Sequence, residues 1–123
     1  MTFKTENRKI FDVLFETAKS SEFEQHRHAS AITYKNTLLA VGINKAKSHP
    51  LQKRFSESDD RIQLHSEIDT IVQVINNHGA DILKECSLYN LRLTKGGNIG
   101  ISKPCDSCQR AIEVFGIERV YWT

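Results

Sequence analysis

The sequence predicts an α/β protein with three layers, α/β/α, in which a mixed sheet of about four strands carries helices on both faces. Two observations lead to this fold class. Amphipathic helical segments alternate with short strand-like segments along the chain, and this alternation implies a layered sheet. The chain has 123 residues, of which 39% are hydrophobic and 26% charged, as in globular proteins. This length predicts a single domain over residues 1–123.

The N-terminal part of the chain predicts a helix followed by a β-hairpin. Residues 7–20 place their apolar side chains on one helical face. Residues 31–34 and 38–42 are typical of strands, and the two residues 35–36 between them predict a tight turn. The nearly continuous apolar run of the second strand indicates that it is covered on both faces.

The middle of the chain predicts a long loop and a second helix. Residues 45–63 are polar, contain Pro50 and show no steady period, so we expect a loop. Loops longer than about 12–15 residues are often functional. Apolar residues then recur at helical spacing from Leu64 onward, and Gly79 is the expected end of this helix.

The C-terminal part predicts a strand, a helix and a last strand. Residues 88–93 alternate as a half-buried strand does, and the glycines at 96–97 interrupt the pattern. A third helix is expected from Pro104 to Gly116, because proline suits a helix start and glycine a helix end. Residues 119–122 predict a short final strand.

Net charge and cysteine usage narrow the classes of function. Seventeen Lys and Arg against fifteen Asp and Glu give +2, far from the basic excess of many nucleic-acid binders. No apolar run approaches the roughly 20 residues that span a membrane, and the first residues lack the apolar core of a secretory signal. We therefore expect a cytoplasmic protein without membrane association. The chain has three cysteines. Two of them, Cys105 and Cys108, lie close together in the sequence, which favours metal or redox chemistry over a disulfide framework.

Two short segments at predicted helix starts carry residues suited to metal chemistry. Cys105 and Cys108 follow Pro104 at positions i and i+3 of one helical turn, so both sulfurs point the same way. His65 adds a nitrogen ligand from the start of another helix. Three protein ligands leave the fourth tetrahedral position of zinc to water, which is the arrangement of a catalytic site. Glu67, two residues after His65, places a carboxylate beside that water for general acid–base chemistry.

The pattern H-x-E followed by P-C-x-x-C resembles the signature of the zinc-dependent cytidine and deoxycytidylate deaminase superfamily. It is most similar to the branch of dCMP deaminases and tRNA-adenosine deaminases. The resemblance implies a cytidine deaminase-like fold, Zn²⁺ held by His65, Cys105 and Cys108, and Glu67 as the proton shuttle. It also implies a homo-oligomer. A Gly-x-Asn in this branch reaches the substrate, so the resemblance makes Asn44 of Gly42-Ile43-Asn44 a substrate contact.

Three functions remain open from the sequence. The first is zinc-dependent hydrolytic deamination of a small cytosine nucleotide of the dCMP or CMP type, giving the uracil product and ammonia. The second is editing of cytosine or adenine in single-stranded DNA or RNA, which needs a basic groove and stacking aromatic rings. The third is a non-catalytic, zinc-stabilised interaction module, in which Glu67 has no role. Guanine derivatives are further candidate substrates.

Four residues are candidate substrate contacts, each with an ordinary structural alternative. Asn44 contacts substrate or closes a turn, and Lys45 binds a phosphate or lies in a solvated loop. Tyr121 and Trp122 stack on a base or pack at the end of the chain. His28 is expected to be a surface or turn residue.

Overall fold

The computed structural model describes residues 8–23, 26–56 and 63–123, and its elements follow the predicted order. The helices are α1 (Arg8–Ala18), α2 (Pro50–Phe55), α3 (Ser66–His78) and α4 (Asp106–Phe115), with a 3₁₀ turn at Asp81–Glu85. The strands are β1 (Arg27–Tyr34), β2 (Thr37–Ile43), β3 (Cys86–Leu93), β4 (Ile99–Gly100) and β5 (Arg119–Trp122). Within the described ranges, none of these helices has the length and apolar character needed to cross a membrane.

The strands form one mixed sheet with β1 and β3 at its centre. β1 pairs antiparallel with both β2 and β3. The other edge of β3 pairs antiparallel with β4 and, further along, parallel with β5. The sheet therefore has five strands where the sequence predicts about four. The additional strand is β4, and two residues are too few to show an alternating pattern.

The turn between β1 and β2 confirms the predicted hairpin. Lys35 and Asn36 have φ angles of 48° and 66°. Two consecutive positive φ angles are the geometry of a type I′ turn, whose twist matches that of the flanking strands.

Helices cover both faces of the sheet, which confirms the predicted three layers. Alternate residues of a strand point to opposite faces, so each central strand contributes to two separate cores. The core on the α1 side contains Leu14, Ala18, Ala29, Ala31, Tyr89, Leu91 and Leu93. The core on the α3 and α4 side includes Ile32, Ile68, Ile71, Leu88, Cys108, Ala111 and Ile112.

The start of α3 lies directly against β2 at Gly42. A Cβ atom on Gly42 would lie 2.8 Å from Asp69 Oδ2 and 2.9 Å from the backbone nitrogen of Thr70, and it would also clash with the Thr70 hydroxyl. Glycine thus permits a close approach that a larger residue prevents. This approach sets the distance between the sheet and the first turn of α3.

The prediction of one continuous loop over 45–63 is wrong, because α2 lies within it. Pro50 occupies the first turn, and the Nδ1 atom of His49 accepts the backbone N–H of Leu51 at 3.0 Å. These are the features of a capped helix N-terminus. The helix has only six residues, too few for a helical period to emerge, yet it buries Gln52 and Phe55.

Candidate metal centre and adjoining cavity

His65 is held at the first turn of α3 by its backbone. It is the N-cap residue, with φ −76° and ψ 152°, and its carbonyl accepts the N–H of Asp69 at 3.0 Å. Its own N–H donates to Oε1 of the buried Gln52 at 3.0 Å. The imidazole is not used as a cap, so it is free to point toward α4.

The two cysteines face the imidazole from the start of α4. Cys105 is the N-cap residue of α4, and Cys108 lies within its first turn. The Nδ1 atom of His65 lies 3.5 Å from the sulfur of Cys105 and 3.3 Å from the sulfur of Cys108. One ligand atom from each of the three residues lies within 4.8 Å of the other two. Cys108 is fully buried, whereas Cys105 is exposed.

This geometry fits a zinc ion. Tetrahedral zinc with Zn–S near 2.3 Å and Zn–N near 2.05 Å places sulfur and nitrogen ligands about 3.5 Å apart. The observed separations of 3.3 and 3.5 Å agree with that value. One imidazole and two cysteine sulfurs are also a donor set that zinc favours, and three ligands leave one position open. His65, Cys105 and Cys108 therefore form a potential metal site.

Hydrogen bonds within the cluster set its protonation in the absence of metal. The pKa of Cys105 lies well below its ordinary value because the Cys108 thiol donates to it, with help from His65 and Ser107. The pKa of Cys108 is raised by that hydrogen bond and by burial. The Cys105 contact also raises the pKa of His65. Metal binding requires these ligands to give up their protons, so the affinity for metal depends on pH.

Glu67 lies in the first turn of α3 and is 6% exposed. Its Oε1 atom accepts the hydroxyl of Ser66 at 3.1 Å. Burial raises the pKa of this carboxyl above its ordinary value, against a smaller opposing effect of the local backbone N–H. A carboxyl with a raised pKa holds and releases a proton closer to neutral pH than an exposed one does.

A cavity of about 270 Å³ adjoins the cluster, with His65, Cys105 and Glu67 on one wall. The remaining wall includes His26, His28, Asn44, Gln63 and Lys103. Burial, with a smaller contribution from nearby cationic groups, lowers the pKa of His28 to about 4. The expectation that His28 is a surface or turn residue is therefore wrong, since it is a neutral, partly buried group in the cavity wall.

Asn44 lines this cavity, but most of its amide binds the backbone. Its Oδ1 atom accepts the N–H of His28 at 3.0 Å and the hydroxyl of Ser21 at 2.7 Å. Its Nδ2 atom donates to the carbonyl of His26 at 2.7 Å. An amide nitrogen has two hydrogens, and within the described ranges only one of them has an acceptor, which leaves the other for a molecule in the cavity. Asn44 thus shapes this corner of the cavity and retains one group for contact.

The other three predicted substrate contacts, Lys45, Tyr121 and Trp122, each contact another group of the protein. Lys45 pairs with Asp69, at 3.3 Å between Nζ and Oδ1. Tyr121 stacks on Tyr89 on the α1 side of the sheet, with ring centroids 4.9 Å apart. Trp122 lines a separate cavity of about 300 Å³ along α4. None of the three is among the described residues that line the first cavity, whereas Lys103 lines both that cavity and the one at Trp122. Contact of Lys45, Tyr121 and Trp122 with substrate stays a prediction.

Three residues near the site were not predicted from the sequence. Gln52 reaches His65 from α2, and Ser30 reaches Ser66 from the sheet at 2.7 Å. Lys103 lines the cavity one residue before the P-C-x-x-C motif. Only Lys103 had a usable signal, namely its position next to the motif. The other two depend on contacts between distant parts of the chain.

Solved structures of deaminases share this fold. The apo dCMP deaminase of cyanophage S-TIM5 aligns with a TM-score of 0.69 and 18% identity, over 98% of this chain and 84% of that chain. Guanine deaminase from Bacillus subtilis aligns with a TM-score of 0.62 and 16% identity, over 98% and 64%. A mutant cytidine deaminase from Mycobacterium tuberculosis aligns with a TM-score of 0.57 and 12% identity, over 92% and 84%. At these identities the likeness establishes the fold alone.

The sequence itself matches a family model. The model describes the zinc-binding region of cytidine and deoxycytidylate deaminases and matches residues 4–123. No curated protein matches the chain at a significant level. The matched region contains the complete cluster of His65, Cys105 and Cys108. This chain therefore belongs to the family of zinc-binding cytidine and deoxycytidylate deaminases.

Proposed function

We propose that the chain hydrolyses the exocyclic amine of cytosine in a small nucleotide of the dCMP or CMP type, with Zn²⁺ as its metal. The observation that carries this proposal is the placement of Glu67. Its carboxyl is buried, yet it shares the wall of one cavity with the metal ligands His65 and Cys105. A non-catalytic zinc module has no use for a buried carboxyl that faces a cavity, because burial of such a group is unfavourable.

The chemistry follows from this placement. His65, Cys105 and Cys108 would hold Zn²⁺, which would act as a Lewis acid and lower the pKa of a water molecule to about 7. Glu67 takes one proton from the attacking water and passes it to the ring nitrogen N3, while the water oxygen bonds to C4. Glu67 then takes the remaining proton from the hydroxyl on C4 and delivers it to the amine. The C4–N bond breaks, ammonia leaves and C4 becomes the carbonyl of uracil.

The cavity supports a small nucleotide as substrate. Its volume of about 270 Å³ is close to the lower end of the roughly 300–1,000 Å³ typical of ligand pockets. Lys103 and His26 are exposed residues of its wall, so we assign them to the phosphate. Asn44 retains one amide hydrogen for the sugar or base. A structure of the cyanophage S-TIM5 dCMP deaminase in complex with dCMP and dUMP has the same fold, with a TM-score of 0.64.

The test is product formation by the zinc-loaded protein. dCMP, CMP, guanine and a cytosine-containing single-stranded oligonucleotide are supplied separately, and the uracil product or released ammonia is measured. We expect turnover of dCMP or CMP, and a loss of about 10²–10⁴-fold in Glu67→Gln, the range of general acid–base catalysis. Glu118→Gln is the matched control, because Glu118 is exposed. Full activity of Glu67→Gln contradicts the mechanism, and turnover of guanine alone contradicts the substrate.

A third cavity, different from the one at Trp122, favours the polynucleotide alternative. It measures about 370 Å³ and is lined by Lys19, Ser21, Arg27 and Lys95. The hydroxyl of Ser21 donates to Asn44 in the wall of the first cavity, so the two cavities are neighbours. Within the described part of the chain, the buried Nε atom of Arg27 has no hydrogen-bond partner. A phosphate that flanks a base in the first cavity would find three cationic side chains here.

The oligonucleotide reaction tests this alternative. Lys95→Gln is expected to lower activity on the oligonucleotide and leave dCMP turnover unchanged, with the exposed Lys9→Gln as control. Binding of the oligonucleotide should also weaken steeply with salt, because phosphate contacts release counterions. If both variants have equal activity on the oligonucleotide, the cavity lined by Lys19, Arg27 and Lys95 has no role in binding it.

A further inference from the structure

We propose that Ser66, Ser30 and Asn90 form a buried hydrogen-bonded chain that positions the carboxyl of Glu67 for proton transfer. This inference rests on the proposed function, in which Glu67 moves protons. Ser66 and Ser30 are positioning residues, since they act through Glu67 and neither is a metal ligand. Asn90 anchors the far end of the chain in the sheet.

The links of the chain are short. Ser30 donates to Oδ1 of Asn90 at 2.6 Å, and the hydroxyls of Ser30 and Ser66 lie 2.7 Å apart. The hydroxyl of Ser66 lies 3.1 Å from Oε1 of Glu67. Ser30, Ser66 and Asn90 are each at most 1% exposed, so bulk water does not compete for these groups. Hydrogen bonds in such surroundings are stronger than at a surface.

The position of the polar pair in the sheet is unusual. Ser30 and Asn90 are register partners on β1 and β3. They lie on the face that packs against α3, and the neighbours two residues away on this face include Ile32 and Leu88, which are fully buried. Apolar residues at both positions would leave no polar group to satisfy. Packing alone therefore does not require this pair, whereas a support for Glu67 does.

Asn90 is held in one orientation. Its Nδ2 atom donates to the carbonyl of Ser102 at 3.3 Å, and its own carbonyl accepts the hydroxyl of Ser102 at 3.0 Å. Because Nδ2 faces a carbonyl, Oδ1 must face Ser30 and can only accept. Ser102 comes two residues before Pro104, so the chain links the segment of Glu67 to the segment that leads to Cys105.

Each hydroxyl of the chain carries one hydrogen to donate. Ser66 gives its hydrogen to Oε1 of Glu67, and Ser30 has two acceptors within reach, the Ser66 oxygen at 2.7 Å and Oδ1 of Asn90 at 2.6 Å. Thr70 donates to the carbonyl of Ser66 at 2.7 Å and holds this residue in place. Ser30 thus bonds to one of these two acceptors at a time and, being fully buried, stays packed beside Ser66 in either case.

The experiment compares Ser66→Ala, Ser30→Ala and the double variant in the zinc-loaded protein. We expect kcat to fall about 10-fold in Ser66→Ala, as for loss of one hydrogen bond to a charged group, with KM and zinc content unchanged. The double variant should be no slower than Ser66→Ala, because Ser30 acts only through Ser66. The control is Thr33→Val, which removes another buried hydroxyl from β1.

A second measurement does not need turnover. The infrared band of the Glu67 carboxyl is obtained by subtracting the spectrum of Glu67→Gln from that of the wild type. We expect this band to move in Ser66→Ala and Ser30→Ala and to stay in place in Thr33→Val. An unmoved band, or loss of zinc in the serine variants, overturns the positioning role. If the band moves but no substrate is turned over, the positioning stands and the proposed function fails.

Discussion

Gln52 is predicted to support the metal site through the backbone of His65. Gln52 is fully buried, and its Oε1 atom accepts the N–H of His65 at 3.0 Å. Its Nε2 atom donates to the hydroxyl of Ser56 at 3.2 Å. Gln52→Leu keeps a side chain of similar size with good helix propensity and removes both polar atoms. We expect the variant to be less stable and to bind zinc more weakly.

The contacts of Gln52 give the magnitude. The Ser56 hydroxyl still donates to the backbone carbonyl of residue 52 at 2.8 Å, so it keeps a partner. The N–H of His65 loses its acceptor, and an unsatisfied donor costs about 1–3 kcal/mol. This donor is the backbone N–H of His65, which belongs to the potential metal site. We therefore expect part of this free-energy cost to appear as weaker zinc binding. Loss of a group that supports a ligand typically weakens metal affinity about 10–100-fold, and we expect the lower end here.

Two assays separate stability from metal binding. Urea unfolding at a fixed free zinc concentration gives the free energy of unfolding, and competition with a chromophoric chelator gives the zinc Kd. Gln73→Leu is the matched control, because Gln73 donates to the carbonyl of Val41 at 2.8 Å on the same helix as His65. Both variants should lose stability, but only Gln52→Leu should lose zinc affinity. An unchanged zinc Kd in Gln52→Leu would refute the reasoning.

Three other perturbations test the metal, the packing and the electrostatics. Cys108→Ala should lose zinc and have a lower Tm, because metal binding is coupled to folding. Chelation of zinc from the wild type should have the same effect on Tm, and the control variant Cys86→Ala should keep its zinc. In Gly42→Ala the added Cβ pushes α3 away from β2, so the free energy of unfolding should fall by about 1–3 kcal/mol. An unchanged midpoint of urea unfolding contradicts this. Burial and then Arg92 lower the pKa of His28 from 6.5 to about 4, so its imidazole NMR signals should not titrate near pH 6.5. As pH falls, His28 is protonated in the unfolded chain at a higher pH than in the folded chain. This group therefore contributes stability above pH 6.5, and that contribution is lost as pH falls toward 4.

Local patterns predicted the elements that are long and periodic. The first helix was expected over 7–20 and spans Arg8–Ala18, and the strand expected at 119–122 is observed there. The pattern failed for α2, since six residues with three polar side chains and a proline do not form a helical period. Its helix depends on the His49 cap and on the burial of Phe55, and both are contacts rather than patterns.

The predicted aromatic contacts show a different limit. Tyr121 and Trp122 were expected to contact the substrate because they end the last strand near the expected active-site edge, and that contact stays a prediction. Their strand pairs in parallel with β3, which places Tyr121 on the α1 side against Tyr89 and Trp122 beside α4. The face and edge that a strand presents depend on its neighbours, so sequence position alone does not determine them.

The sequence by itself determined the chemistry of the metal site. Two cysteines three residues apart at a helix start converge for geometric reasons that need no other part of the chain. Histidine and glutamate two residues apart likewise share one helix start. Only the tertiary structure decided which groups surround them. Gln52 lies 13 residues from His65, and Ser30 lies 36 residues from Ser66 and 60 from Asn90. Such contacts form where separate elements pack together, and packing leaves no period or spacing in the chain.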